Sequence, residues 1–222
     1  TPGLVVWLAA GEGVVADANG GVSQWTARRP ADRTATQKRD DLRPSVVPLA
    51  VAGEPALRFH GWEKDYGKVG GIDVLNLRDL PIDGGGLSVY LVARTRGRNY
   101  FATLLHLAGK EESVMVRQHA NNGNFSVARG KSVIESGASL VGQGFKVLAA
   151  RLDGDGQWVL EENGQKTAAG GDDEAFAKGS YTLGIGARAG SRGPRYGLNG
   201  DIAELLVFDR ALSRAQHLAV SD

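Results

Sequence analysis

No cysteine occurs anywhere in the 222 residues. Disulfides, thiolate metal sites and cysteine nucleophiles are therefore excluded. That absence suits the cytosol, and equally an exported bacterial protein that does without staples. No apolar run approaches the ~20 residues that a membrane-spanning helix requires. Charge of one sign is missing as well. The formal net charge is +1, and no block of like charge offers an arm for nucleic acid or a basic helix for a membrane surface. Neither partner is expected. Catalytic signatures are also absent: the four histidines (His60, His106, His119, His217) are scattered without metal spacing, and no G-x-S-x-G elbow is present. The chain starts at Thr1-Pro2, without an initiator Met or a signal peptide, which reads as an excised domain or a mature, processed fragment.

What is abundant is glycine. Its 32 residues are about twice average usage, without the period of collagen, and in a chain of strand-like runs they read as turns and bulges. The hydrophobic share of 42% supplies a sizeable core, and the length suits one all-β domain over 1–222. Alternation places strands near 4–10, 56–59, 72–77, 87–94, 99–107, 113–119, 124–128, 145–152, 157–162, 181–185 and 202–208. Asn121-Asn122-Gly123 and Asp153-Gly154-Asp155-Gly156 are hairpin signals, and Asn163-Gly164 follows them. The stretch 26–48 reads as a long polar loop and 173–178 as one helical turn, and Ser213 is placed to cap a short helix through Gln216 and Leu218. Gly11-Glu12-Gly13-Val14-Val15-Ala16 spells a dinucleotide fingerprint after a strand, but turn residues 17–21 stand where that fingerprint needs a helix. A Rossmann reading is rejected.

Three blocks occur in order: a first strand at Gly3-Leu4-Val5-Val6-Trp7-Leu8 with Gly21-Val22-Ser23-Gln24-Trp25 after it, then Pro55-Ala56-Leu57-Arg58-Phe59-His60-Gly61, and last the run Ile202 to Phe208 with its brief helix. Together they resemble the LamG-like (concanavalin A-like) jelly-roll family. The resemblance implies a two-sheet antiparallel sandwich whose first and last strands are neighbours. It also implies an extracellular or periplasmic location, tethering to other domains, and a structural calcium. Asp65 and Asp201 match acidic positions of the family, whereas Arg29-Pro30-Ala31-Asp32 departs from its usual Gly-rich Asp turn.

Side chains alternate across a strand. Met115, Arg117 and His119 therefore share a face, as do Arg151 with Ala149, and Trp158 with Leu160. If these strands are neighbours, Arg117, His119, Arg151 and Trp158 converge on the concave sheet. Planar donors and an aromatic plate are what a glycan site needs. The bland alternative makes Arg151 and Asp153 a surface pair and Trp158 core. The loop 187–197 adds Arg192, Arg195 and Tyr196, beside Arg188, as an anion-reading segment for acidic sugars or phosphate, or else a solvated loop. Glu161 and Glu162 are consecutive and point to opposite faces, against a retaining glycosidase. A jelly-roll polysaccharide lyase needs Gln and His on one face, and Gln118-His119 are adjacent. The expectation is a non-catalytic glycan-binding accessory module of a larger exported bacterial protein. A protein-contacting structural domain and a lyase are the alternatives.

Overall fold

In the computed structural model, which describes residues 2–61, 71–97, 101–110, 112–171, 173–188 and 193–221, the two ends of the chain lie side by side. The strands are β1 (Leu4–Ala9), β2 (Val14–Ala16), β3 (Val22–Thr26), β4 (Thr34–Thr36), β5 (Ser45–Val51), β6 (Glu54–Phe59), β7 (Leu75–Ile82), β8 (Leu87–Thr95) and β9 (Thr103–Ala108). They continue with β10 (Ser113–Gln118), β11 (Asn124–Arg129), β12 (Ser132–Ser139), β13 (Lys146–Leu152), β14 (Gln157–Glu162), β15 (Gln165–Gly171), β16 (Gly179–Ile185) and β17 (Gly200–Phe208), and then α1 (Arg214–Ser221). β1 runs antiparallel to β17, with Leu8 opposite Leu205 and Trp7 opposite Leu206. No helix among the described residues is long and apolar enough to cross a membrane.

Two antiparallel sheets form a jelly-roll sandwich. One has eight strands, β15-β14-β13-β8-β17-β6-β5 with β1 joined to β17. The other has nine, β12-β11-β10-β9-β16-β7-β4-β3-β2. Strand parity decides what lies between them. Leu57, Phe59, Val89, Leu91, Leu148, Leu152, Leu205 and Val207 of the first sheet meet Leu75, Leu77, Leu105, Leu107, Val114, Val116, Phe125 and Leu183 of the second in one buried cluster. Each such side chain contributes about 1.5–3 kcal/mol by leaving water, so a one-residue slip in any central strand would be strongly opposed.

The turns form where their chemistry lies. Asn163 and Gly164 both take the left-handed conformation between β14 and β15, as a two-residue hairpin turn demands. Asp153 Oδ1 accepts from the backbone of Asp155 and Gln157. Ser213 and Gln216 exchange hydrogen bonds at the start of α1, a capping box. Two expectations fail. The polar stretch 26–48 is not one loop, because it holds β4, a 3₁₀ turn at Asp40–Leu42 and the start of β5. Residues 173–178 form no helix. Arg129 donates to the carbonyls of Glu174 and Ala175, and Glu112 accepts from the Ala177 N–H. Those bonds replace the ones a helical turn would make.

Candidate functional site

The outward-facing residues of the two sheets differ in kind. On the eight-stranded sheet the buried carboxylates are each paired with a basic side chain. Asp201, 0% exposed, accepts from Arg58 Nε at 2.8 Å and Arg94 Nε at 2.7 Å, because Arg58 and Arg94 sit directly opposite it on β6 and β8. Burial pushes the Asp201 carboxyl up, and the two guanidinium groups more than offset that, leaving it below the usual carboxylate range. Nearby, His217 of α1 lies 2.7 Å from Glu161 Oε2 and 3.0 Å from the Tyr90 hydroxyl, and Arg151 donates to Glu161 Oε1 at 2.8 Å. This chain of contacts, with Phe208 and Leu212 packed against Tyr90, docks the helix on the sheet.

The nine-stranded sheet presents another chemistry. Arg117, 6% exposed, holds its guanidinium 4.2 Å from the centre of the Phe101 ring, a cation–π distance. Phe101 also meets His119 and Tyr196 edge to face, at 5.7 and 5.8 Å. Three side chains from two parts of the chain, the end of β10 and the loop before β17, thus gather on one aromatic ring. The gathering follows from the backbone. The Thr103 N–H donates to the Tyr196 carbonyl at 2.8 Å, and Thr103 bridges Gly197, so the loop before β17 is stitched to the start of β9. Phe101 and Tyr196 both have positive φ, 54° and 55°. That conformation is strained for aromatic residues and is typically retained where surrounding structure imposes it, often at binding sites. His119 Nδ1 lies 3.2 Å from Glu135 Oε2, on the next hairpin.

In the same loop, next to Tyr196, Arg195 exchanges backbone hydrogen bonds with Arg188 at 2.9 and 3.1 Å. Both side chains are exposed, and neither has a carboxylate partner among the described residues. Arg188 acts on His106 of β9 through its charge. Burial first, and Arg188 second, push that imidazole down to about 4, so it is neutral at ordinary pH.

Of the residues singled out from sequence, the structure brings together Arg117, His119, Arg195 and Tyr196. Arg192 and Asp65 lie outside the described residues. Arg151 and Trp158 are elsewhere. β10 belongs to one sheet and β13 and β14 to the other, and the pairing Leu152–Trp158 turns Trp158 inward. Trp158 is 0% exposed in the core, so it offers a sugar no plate, and Arg151 is bound to Glu161 under α1. The bland alternative holds for Trp158. Arg151, however, pairs with Glu161 rather than Asp153. Asp201 does not fit a calcium ion, since both of its oxygens face guanidinium groups rather than further oxygen ligands. No cluster of three or more metal-ligating side chains exists among the described residues. Gln118 pairs with the core residue Phe125 and is wholly buried, while His119 packs on Phe101, so the lyase-like pair is divided between two faces. Phe101, the ring on which the site is assembled, escaped the sequence reading. Its parity is hidden because the strand expected from residue 99 begins only at Thr103.

Residues 69–216 match the family model of the concanavalin A-like lectin/glucanases superfamily. Among solved structures, domain 4 of AbnA, an extracellular arabinanase from Geobacillus stearothermophilus in complex with arabinotriose, is 17% identical, with 99% of this chain and 98% of that one covered at a TM-score of 0.69. The CBM40 domain of the Ruminococcus gnavus IT-sialidase bound to α2,3 sialyllactose is 18% identical, with 65% and 92% covered and a TM-score of 0.51. The binding domain of botulinum neurotoxin serotype G is 8% identical, with 98% and 50% covered and a TM-score of 0.63. At these identities the likeness is one of fold. No curated protein sequence matches.

Proposed function

We propose, starting from the concanavalin A-like lectin/glucanase superfamily to which this chain belongs, that it is a non-catalytic glycan-binding module of an exported bacterial protein, with its ligand on the outer face of the nine-stranded sheet. The observation that carries this reading is the convergence of Arg117, His119 and Tyr196 on Phe101, with the exposed Arg195 next to Tyr196 and bonded through its backbone to the exposed Arg188. Guanidinium groups read hydroxyls and carboxylates in a planar fork, and aromatic edges and faces complement sugar C–H groups. The exposed guanidinium groups of Arg188 and Arg195 favour an acidic substituent at the rim. A structural neighbour held with arabinotriose and another with sialyllactose support the saccharide class.

The two consecutive glutamates of β14 are engaged elsewhere. Glu161 is held by Arg151, and Glu162 by Lys146 at 2.7 Å, both away from Arg117. The test is isothermal titration with arabinotriose, sialyllactose and an oligouronate. Binding of at least one is expected. Arg117→Ala and Arg195→Ala should each weaken it about tenfold or more, since a hydrogen bond to a charged group contributes about 1.5–3 kcal/mol, and Arg151→Ala should leave it unchanged. A flat titration with all three sugars, alongside a folded thermogram, would replace this reading with that of a protein-contacting module. Ultraviolet absorbance of unsaturated products from an oligouronate would replace it with a lyase.

A further inference from the structure

Across the same outer face, cross-strand pairing puts Asn76, Gly184, His106 and Met115 in one row, on β7, β16, β9 and β10. Their neighbours along each strand, Leu75 and Leu77, Leu183 and Leu105, are core residues, so the row itself faces outward by parity. Three atoms in it are at odds with ordinary packing. Asn76 Oδ1 and both ring nitrogens of His106 are buried without a hydrogen-bond partner among the described residues. Leaving a buried polar group unmatched costs about 1–3 kcal/mol each, and native proteins seldom tolerate it without a reason. Here the unmatched groups flank a glycine. Asn76 and His106 are two strand spacings apart, about 9.5 Å, and between them Gly184 carries no side chain.

We propose that Asn76, Gly184 and His106 form the floor of a subsite that takes one uncharged sugar ring, laid over the Gly184 backbone with hydroxyls toward Asn76 Oδ1 and the His106 imidazole. The inference rests on the glycan reading of this face and adds the ligand's chemical class. An amide oxygen accepts only. A neutral imidazole accepts at one nitrogen and donates at the other. A ligand that answers all three must both donate and accept, as a ring's hydroxyls do. A carboxylate fails, because it has no proton for Asn76 Oδ1. An ammonium fails, because it cannot accept and would lie near Arg188. His106, which burial keeps uncharged down to about pH 4, is suited to this role across the physiological range. Asn76, half-buried, is the open end of the floor, and His106, 3% exposed, is its closed end. The site thus divides into a cationic rim of Arg188, Arg195 and Arg117 and a neutral, hydroxyl-reading floor.

The test uses arabinotriose as the uncharged probe and sialyllactose as the charged one. Asn76→Leu and His106→Leu replace an unmatched polar group by an apolar one of similar size. Each is expected to hold or raise Tm while weakening arabinotriose at least tenfold. A residue with a merely packing role would not separate the two readouts. In the unaltered protein, imidazole ¹H–¹⁵N spectra should show the His106 nitrogens moving on arabinotriose addition. Arabinotriose binding unchanged in both leucine variants, or His106 signals static at saturation, would overturn the floor, while loss on Arg117→Ala would keep the wider reading. Sialyllactose alone binding, and needing Asn76 and His106, would overturn the uncharged class. No binding of either sugar would remove the subsite together with the glycan reading.

Discussion

Among the described residues two tryptophans, Trp25 and Trp158, are fully buried, and they should answer the same substitution differently. Trp25 donates its Nε1 proton to the Ala9 carbonyl at 3.0 Å. Trp158 is equally buried, but its Nε1 has no hydrogen-bond partner among the described residues. Trp→Phe at either site removes roughly 35 Å³, worth about 0.8 kcal/mol at ~24 cal/mol per Å³ of unfilled cavity. At Trp25 a hydrogen bond worth about 1 kcal/mol goes as well, for a total near 2 kcal/mol. At Trp158 the change removes an unmatched buried N–H, which returns about 1–3 kcal/mol and cancels or exceeds the cavity cost. For a chain of this size each kcal/mol moves Tm by about 2–4 °C. Differential scanning calorimetry should therefore show Trp25→Phe melting about 4–8 °C lower and Trp158→Phe within about 3 °C of the parent or above it. Trp158→Ala, which empties the site, should cost about 3–5 kcal/mol. Equal losses in the two Phe variants would mean that Trp158 Nε1 is bonded after all. A Trp158→Phe protein with unmoved Tm and weakened glycan affinity would mean that the ring faces sugar, and the assignment of inner and outer faces would fall.

Asp201→Asn should lower the urea-derived stability by about 2–3 kcal/mol, below the range for a wholly buried pair because Arg58 and Arg94 remain partly in water. Since the Asp201 carboxyl is held below its ordinary value, that contribution is complete above about pH 4 and is lost as pH falls through the lowered value, so the variant should lack this acid limb. His106 acts in a higher window. Its folded pKa of about 4 lies below the unfolded 6.5, so the unfolded chain takes up the proton first and stability falls between about 6.5 and 4. Urea midpoints at pH 7 and 4.5 should converge in His106→Leu. His217→Ala should speed amide exchange across 214–220, with a loss of about 1–3 kcal/mol, and leave glycan affinity unchanged. Slower exchange there, or altered affinity, would contradict the docking role.

Alternation carried the sandwich because the core strands are long and their apolar faces unmistakable. Leu87, Val89, Leu91 and Ala93 share the inner face of β8 as their spacing implies. The short and weak strands were not legible. β15 (Gln165–Gly171) and β12 (Ser132–Ser139) carry Gly, Ala, Ser and charged residues at positions where an inner-facing strand would show large apolar ones, and they stand at sheet edges. The site was half legible. Parity correctly turned Arg117 and His119 outward, because that is a local property of one strand. Whether Trp158 shares their face depends on which sheet its strand joins and on its register with β13, and no local pattern encodes either. His106 was visible between Leu105 and Leu107, but its meaning came only from the pairing that sets it across Gly184 from Asn76.

The two outer faces then differ in the way that separates support from recognition. Around Asp201 and Glu161 the carboxylates are answered within the chain, by Arg58, Arg94, Arg151 and His217, so a ligand there would have to displace a partner already in place. Such displacement gives little net affinity, because each new bond replaces an old one. Around His106 and Asn76 the desolvation cost is already present in the folded chain, and every bond a ligand forms is a gain over an unmatched group. Recognition belongs where folding leaves polar atoms unanswered, and in this sandwich the nine-stranded sheet brings two such side chains together in one row, beside a cluster of arginines and aromatic rings.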